Sequence, residues 1–148
     1  MRPIRPDDVE LEVAFFRGLS ERSRYQRFMQ HLSELPPPLL ARFTQLDYER
    51  ELALVVLHEG RFVAVGRYAP RSDGTTAEFA LTVADAWQRK GIGRALLERL
   101  CASARDAGYA ALYGSILADN HDMLRLAEHL GFTVSSRDGT EVVVVRHL

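Results

Sequence analysis

Residues 83–95 read VADAWQRKGIGRA, and they join a strand to a helix. Before them, apolar side chains alternate with polar or small ones over residues 76–83, at Ala77, Phe79, Leu81 and Val83. After them, apolar residues recur at helical spacing until Gly108, at Leu96, Leu97, Leu100, Cys101 and Ala104. Gly91 and Gly93 allow a ligand to approach the backbone closely, and the first turn of a helix offers unpaired N–H groups that favour phosphate.

Two common phosphate-binding loops do not fit this segment. The P-loop requires Lys and then Ser or Thr after its last glycine, whereas Arg94 and Ala95 follow Gly93. The dinucleotide fingerprint requires a small residue three positions after its second glycine, and Leu96 stands there. The segment therefore does not predict a nucleotide-binding module of either kind, and two glycines alone would equally suit a plain strand-to-helix turn.

The rest of the chain predicts a mixed α/β domain built on one central sheet. The first third is helical and irregular, with helices that begin at Pro6-Asp7-Asp8, after Ser20 and after Pro36-Pro37-Pro38. A hairpin follows, with strands over 52–57 and 62–65. The C-terminal part predicts a strand over 111–116, a helix that ends at Gly131 and a last apolar strand over 142–145.

Composition limits the class of protein. The chain has 148 residues, 47% hydrophobic and 26% charged, which is typical of one globular domain spanning residues 1–148. Nineteen basic against twenty acidic side chains argue against a general nucleic-acid binder, which needs a basic excess. The N-terminus lacks a signal peptide's apolar segment, no apolar run approaches the roughly 20 residues of a membrane helix, and one cysteine suits a reducing compartment. We therefore expect a cytoplasmic protein, monomeric or homodimeric, that binds neither nucleic acid nor membrane.

One motif goes beyond these patterns. Gln88-Arg89-Lys90-Gly91-Ile92-Gly93 matches the Q/R-x-x-G-x-G/A signature of the GNAT N-acetyltransferases, and it stands between a strand and a helix as in that family. A helix that begins at Asn120 and closes with Leu130-Gly131-Phe132 resembles the family's second landmark. The resemblance covers nearly the whole chain. It implies the GNAT fold: a mixed, mostly antiparallel sheet flanked by helices, with a splayed pair of strands that binds acyl-CoA.

The first half of the chain narrows this resemblance. Leu19-Ser20 with Ser23 to Phe28, and then Asp47 to Leu54, are similar to the acetyltransferase domain of bacterial protein lysine acetyltransferases. The resemblance implies an N-acetyltransferase that transfers an acetyl group from acetyl-CoA to a primary amine within a ternary complex. A protein lysine is one acceptor, and a free small amine is another. A non-catalytic module that senses acyl-CoA is the alternative outside the enzymes.

The resemblance also implies where acetyl-CoA binds. Its pantetheine would pair with main chain around Leu81 and Val83, and its pyrophosphate would meet N–H groups from Gln88 to Arg94. Asn120 would contact the cofactor near its acyl end, although Asn is also a preferred helix cap. The cofactor-binding residues predicted in this way are Leu81, Thr82, Val83, Gln88, Arg89, Lys90, Gly91, Ile92, Gly93, Arg94, Ala95 and Asn120.

Glu78 is the candidate catalytic residue. A lysine amine, with a pKa of about 10.4, must lose a proton before it attacks, so a general base is useful. Glu78 lies on the polar face of its strand and matches the glutamate that acts as base in similar protein acetyltransferases, but the same pattern suits a solvated carboxylate. Ala127 stands where many GNAT enzymes carry a tyrosine acid, which leaves water or direct thiolate release; Tyr113 would be a distant substitute.

The remaining candidates predict structure rather than chemistry. The five histidines have no ligand-like spacing and no cysteine pair beside them, so we expect no metal site. Cys101, on an apolar helix stripe, suits a packed thiol. Trp87 either covers the glycine loop or buries its ring. Three arginines of the first third suit a solvated helix face or a contact with an acidic substrate surface: Arg22, Arg24 and Arg27.

Overall fold

The fold is a single seven-stranded sheet, seen in a computed structural model that describes all 148 residues. The strands are β1 (Arg2–Pro3), β2 (Leu52–His58), β3 (Arg61–Pro70), β4 (Thr76–Val83), β5 (Ala111–Leu117), β6 (Thr133–Asp138) and β7 (Glu141–His147). Their order is β1-β2-β3-β4-β5-β7-β6, and only the β4–β5 pair is parallel. The expected mixed, mostly antiparallel sheet is therefore confirmed.

Five helices flank this sheet: α1 (Val9–Gly18), α2 (Glu21–Phe28), α3 (Pro37–Thr44), α4 (Ile92–Asp106) and α5 (His121–His129). Their starts follow the sequence signals. Ser20 Oγ accepts a hydrogen bond from the Ser23 N–H at 3.1 Å and caps α2. Gly91 caps α4 with a φ of +85°, a conformation that favours glycine. None of the five combines the length and hydrophobicity that crossing a bilayer requires.

Two hydrophobic cores lie on opposite faces of the sheet. The larger joins α4 and α5 to β3, β4, β5 and β7, and includes Phe79, Leu96, Leu100 and Leu112. The smaller joins α1 to β2 and β3, and includes Phe15 and Val65. On this second face, α1 and α2 pack on β3 and β4, whereas no helix packs substantially on β6 or β7. The β6 and β7 part of that face is therefore left without a helical cover.

Two strands differ from the sequence prediction. β6 was not predicted, because its sequence, TVSSRD, has one apolar residue and all six residues are exposed; pairing with β7 alone makes it a strand. β3 continues to Pro70, five residues beyond the predicted end. Gly66 interrupts its apolar pattern because α4 approaches closely there: a Cβ on Gly66 would lie 3.2 Å from the side chains of Leu81 and Leu100.

The sheet opens between β4 and β5. These strands pair only from Thr76 opposite Ala111 to Phe79 opposite Gly114, although β4 runs on to Val83 and β5 to Leu117. The Phe79 ring lies directly over Gly114, where a Cβ would overlap it, and packs edge-on against Phe132 at 5.3 Å. The expected splayed pair of strands is thus present, and it opens toward the start of α4.

Candidate active site

The gap between β4 and β5 exposes main-chain groups of β4. The Ala84 N–H donates to the Val63 carbonyl at 2.8 Å. Because bonded and non-bonded pairs alternate in an antiparallel ladder, Thr82 bonds to β3, while the peptide groups of Leu81 and Val83 point toward the gap. Of the predicted cofactor-binding residues on β4, Leu81 and Val83 therefore have peptide groups on the side of the gap, where the Val83 carbonyl already accepts a hydrogen bond from Gln88 Nε2 at 3.0 Å. The main chain of Thr82 instead faces β3, and its side chain is buried on the second face.

The start of α4 supplies a second set of free donors. The N–H groups of Gly91, Ile92, Gly93 and Arg94 meet no acceptor within the protein. The Ala95 N–H, in contrast, donates to the Gly91 carbonyl at 3.1 Å, so this predicted contact residue has no free amide. Four free donors at the positive end of a 15-residue helix form a site for a phosphate or pyrophosphate group.

Two arginines at this helix start are already paired with carboxylates. Arg89, in the left-handed conformation at φ +61°, lies 3.2 Å from the Asp122 carboxylate. Hydrogen bonds from Arg125 and Arg89 hold the pKa of Asp122 below its usual value. Arg94 pairs with Glu98 one turn later at 3.1 Å. The ion pair of Arg89 therefore ties the glycine loop to the first turn of α5.

Asn120 and Trp87 flank the loop. The Asn120 side chain accepts a hydrogen bond from the Met123 N–H at 3.3 Å, so its capping role is confirmed. Trp87 is half-buried; its ring lies 4.7 Å from that of His58, and the Lys90 Nζ lies 5.3 Å from its centre. The indole therefore braces the loop against the β2–β3 turn rather than entering the core.

Glu78 lies one residue before the last paired position of β4 and β5. Its side chain is exposed, and Ser115 Oγ donates to its Oε1 at 3.1 Å. Tyr113 stands directly opposite Glu78 in the parallel register, and the Arg71 guanidinium covers its ring at 3.6 Å. Tyr113 is therefore not distant, as the sequence suggested, but a neighbour. Ser115 was missed, because spacing along β5 does not reveal which residue of β4 it faces.

Two other predicted features are found in the core. Ala127 is fully buried on α5, so no acid side chain reaches the gap from that position. Cys101 is 2% exposed on α4, and burial raises the pKa of its thiol, although Arg146 opposes that rise. The structure contains no group of three His, Cys, Asp or Glu side chains that could hold a metal ion.

A charged cluster lies beneath Glu78 on the second face. The Arg27 guanidinium packs over the rings of Phe28 and Phe43, at 4.7 and 5.3 Å, so Arg27 does not belong to a solvated face as predicted. Arg67 also covers Phe43, and its Nη2 lies 3.8 Å from the Glu12 carboxylate. These side chains line a cavity of about 20 Å³, room for roughly one water molecule.

The cluster is electrostatically unbalanced, with two guanidinium groups and one carboxylate. Burial lowers the pKa of Arg27 to about 10, helped by the neighbouring Arg67 and opposed by Glu12 and Glu78. Arg27 therefore stays charged at neutral pH. Arg24 is also drawn inward, since it donates to the Phe16 carbonyl at 3.2 Å, and only Arg22 of the three arginines is fully exposed.

The chain is similar to acetyltransferases of known sequence and structure. The model of the acetyltransferase (GNAT) family matches residues 15–132. An acetyltransferase of Pseudomonas aeruginosa is 35% identical over 151 residues, which cover 99% of this chain and 81% of that protein. The crystal structure of the GNAT domain of S. lividans PAT matches with a TM-score of 0.93 at 31% identity, over 99% of this chain and 89% of that one. The Salmonella typhimurium protein yncA, solved with its cofactor acetyl-CoA, matches with a TM-score of 0.80 at 24% identity, over 99% of this chain and 92% of that one, and bears on the fold alone.

Proposed function

Because the chain belongs to the acetyltransferase (GNAT) family, whose activity is acetyl-CoA-dependent acetylation, we propose that it acetylates the side-chain amine of a lysine on another protein, with Glu78 as general base. The observation that carries the proposal is the gap between β4 and β5. The unpaired peptide groups of Leu81, the N–H of Val83, the free N–H groups at the start of α4 and the Glu78 carboxylate all border it; the Val83 carbonyl is taken by Gln88 Nε2 at 3.0 Å.

The donor groups at the gap fit the two polar parts of acetyl-CoA. The peptide groups of Leu81 and the N–H of Val83 are aligned to pair with the pantetheine amides as an added strand would. The N–H groups of Gly91 to Arg94 would hold the pyrophosphate. Asn120, at the start of α5 on the other side of the gap, would contact the cofactor near its acyl end. The Salmonella protein, which shares the fold, was solved with acetyl-CoA, so this fold is able to hold that cofactor.

Acetyl-CoA supplies the activated acyl group, and the residues of this chain prepare the amine. Glu78 takes a proton from the attacking amine, directly or through one water, as the new C–N bond forms and the C–S bond breaks. Ser115 donates to Oε1 of Glu78, which leaves Oε2 free for the amine proton. Ala127 offers no acid, so the departing thiolate takes its proton from water or from Tyr113, the phenol beside Glu78.

The open surroundings of Glu78 favour a protein acceptor. Small ligands usually bind in concave pockets that bury about 70–90% of their surface. Glu78 is exposed, and β7 and β6 beyond it carry no helix on the second face. A lysine side chain on a protein surface reaches such a site with its long stem, whereas a free amine would find little to enclose it. Of Arg22, Arg24 and Arg27, only Arg22 is exposed. We therefore expect the association with the acceptor protein to depend only weakly on salt concentration.

Acetyl-CoA is expected to raise the melting temperature of the wild-type protein by mass action. Gly91→Leu should abolish this rise, because a side chain at φ +85° strains the loop and covers the donors at the start of α4. Gly108→Leu is the matched control: Gly108 lies at the other end of α4, has a φ of +91° and likewise has no atom within 4 Å of an added Cβ. Differential scanning fluorimetry measures both. Stabilisation by ATP or NAD but not by acetyl-CoA would refute the cofactor assignment.

The acceptor is tested with a cell lysate, labelled acetyl-CoA and mass spectrometry. We expect a small number of proteins to be labelled on specific lysines, because an exposed base selects its substrate by docking rather than by enclosure. Reactions with the Gly91→Leu variant give the background of uncatalysed acetylation. Efficient turnover of a free amino acid or polyamine, with no protein labelled above that background, would instead establish a small-molecule acetyltransferase.

A further inference from the structure

One carboxylate joins the cofactor loop to α2. Asp85 lies two residues after the end of β4, in a short helical turn that spans Asp85–Trp87. Its Oδ1 accepts the main-chain N–H of Ser20 at 3.1 Å, and its Oδ2 accepts the Ser20 hydroxyl at 2.8 Å and the Ser23 hydroxyl at 3.1 Å. Asp85 thus binds the N-terminus of a helix that lies 65 residues earlier in the sequence.

The pKa of Asp85 agrees with this geometry. Partial burial alone would raise the pKa of this carboxyl, but the donors on Ser20 and Ser23 outweigh burial and lower it below the usual value. The side chain is therefore ionised at neutral pH, and its negative charge lies at the positive end of α2. Hydrogen bonds to an ionised acceptor are stronger than those between neutral groups, and here three of them converge on one carboxylate that is itself exposed to solvent.

Gln88, the first residue of the glycine-loop motif, adds a second link. Its Nε2 donates to the Val83 carbonyl at 3.0 Å and to the Ser23 hydroxyl at 3.4 Å. The free N–H groups that would hold the pyrophosphate begin three residues after Gln88, at Gly91. The loop is therefore fastened to the start of α2 by Asp85 and Gln88, while its next residues, Arg89 to Gly91, are exposed and are linked to α5 by the ion pair of Arg89 with Asp122.

The far end of α2 lies beside the base. α2 has eight residues and packs against β4, the strand that carries Glu78. Arg27 in its last turn lines the same cavity as Thr82 of that strand, and the Glu78 carboxylate opposes the fall in the pKa of the Arg27 guanidinium. One short helix thus touches the cofactor loop at its N-terminus and the surroundings of Glu78 at its C-terminus. The hydrogen bonds from Ser20 and Ser23 to Asp85 and from Gln88 to Ser23 connect the loop to the helix, so ordering of the loop is expected to restrict the helix as well.

We propose that Asp85 is a positioning residue that couples the two substrates: acetyl-CoA, by fixing the loop, also stabilises α2 and so completes the acceptor side around Glu78. This inference rests on the proposed function. Binding of acetyl-CoA orders the loop and α2, so the acceptor that binds next loses less conformational entropy. The two substrates then bind with positive cooperativity.

Hydrogen–deuterium exchange with mass spectrometry tests the coupling and needs only acetyl-CoA as the probe. In the wild-type protein, saturating acetyl-CoA should slow amide exchange both at Gly91–Arg94 and in α2 at residues 24–28, the latter by about fivefold or more, which is the lower range of coupling between sites. Asp85→Asn keeps the shape of the side chain but loses the charge and one acceptor. At saturating acetyl-CoA it should keep the protection of Gly91–Arg94 and lose the added protection of α2.

Asp73→Asn is the matched control. Asp73 also accepts several hydrogen bonds, from the N–H groups of Thr75 and Thr76 and the Thr76 hydroxyl, but it lies in the β3–β4 loop away from α2. It should leave the protection of α2 intact. Should Asp85→Asn fail to fold, Ser23→Ala removes one hydroxyl shared by Asp85 and Gln88 and should reduce the added protection of α2.

Distinct results overturn the inference and the proposed function. If Asp85 has only a structural role, Asp85→Asn will speed the amide exchange of α2 equally with and without acetyl-CoA. That result would overturn the coupling. So would a wild-type protein whose loop is protected by acetyl-CoA while α2 is not. If acetyl-CoA protects neither Gly91–Arg94 nor α2 and leaves the melting temperature unchanged, the proposed function fails and the coupling with it.

Discussion

Glu78→Gln is expected to lower the rate of acetyl transfer at pH 7 by roughly 10²–10⁴, the usual contribution of a general base. The loss should shrink as the pH rises toward the amine pKa of about 10.4, because a growing fraction of the acceptor is then already neutral. Initial rates at saturating acetyl-CoA, measured from pH 6.5 to 9.5 on a labelled acceptor protein, give both quantities. The thermal stabilisation by acetyl-CoA should stay near the wild-type value, since Glu78 contributes no donor to the cofactor.

Glu128→Gln is the control for this experiment. Glu128 is an exposed glutamate on α5 that pairs with no cation, so its amide variant changes the net charge equally without touching the gap. It should keep the wild-type rate and pH profile. A Glu78→Gln variant as fast as this control at pH 7 would remove Glu78 from the mechanism and leave it a solvated carboxylate that Ser115 happens to bind.

Gly114→Ala is expected to reduce the free energy of unfolding by about 3 kcal/mol, the upper range of overpacking penalties. The new Cβ would overlap the Phe79 ring, which is buried and held against Phe132, so it has no easy escape. Urea unfolding followed by circular dichroism measures the loss. Gly18→Ala is the matched control, because an added Cβ at that exposed helix end meets no atom within 4 Å.

The cause of that loss is tested by a second substitution. Phe79→Leu removes the overlapping ring atoms, so the double variant with Gly114→Ala should be more stable than the sum of the two single effects predicts. Strict additivity, or a Gly114→Ala variant as stable as Gly18→Ala, would show that the ring moves aside at little cost. In that case the overlap would not explain the glycine at this position.

The elements predicted correctly are those with a strong local pattern. β4 alternates over eight residues, α4 keeps one buried stripe for four turns, and Ser20 and Asn120 cap the helices they precede. β6 has no such pattern, because neither of its faces is buried and its strand geometry comes from β7. Local chemistry could not have revealed it.

The same distinction holds at the candidate site. The glycine loop was found from its own residues, since a tight turn and free helix donors are local properties. The placing of Tyr113 and Ser115 beside Glu78 depends on the parallel register of β4 and β5, two strands that lie about 30 residues apart in the sequence, and local patterns do not reveal that register. Arg27 was misjudged because a cation on an amphipathic helix is usually solvated, and here two aromatic rings from different helices draw it inward.

The buried position of Cys101 bears on how such an enzyme tolerates its own product. Each transfer releases coenzyme A, a thiol that air or cellular oxidants convert to disulfides, and these exchange with protein thiolates that they can reach. Cys101 is the only cysteine of the chain, is 2% exposed and is kept protonated because burial raises its pKa. Cys101 is therefore neither accessible to such disulfides nor present as the thiolate that would react with them. The fold should carry no mixed disulfide with oxidised coenzyme A, so changes in cellular redox poise should leave its activity untouched.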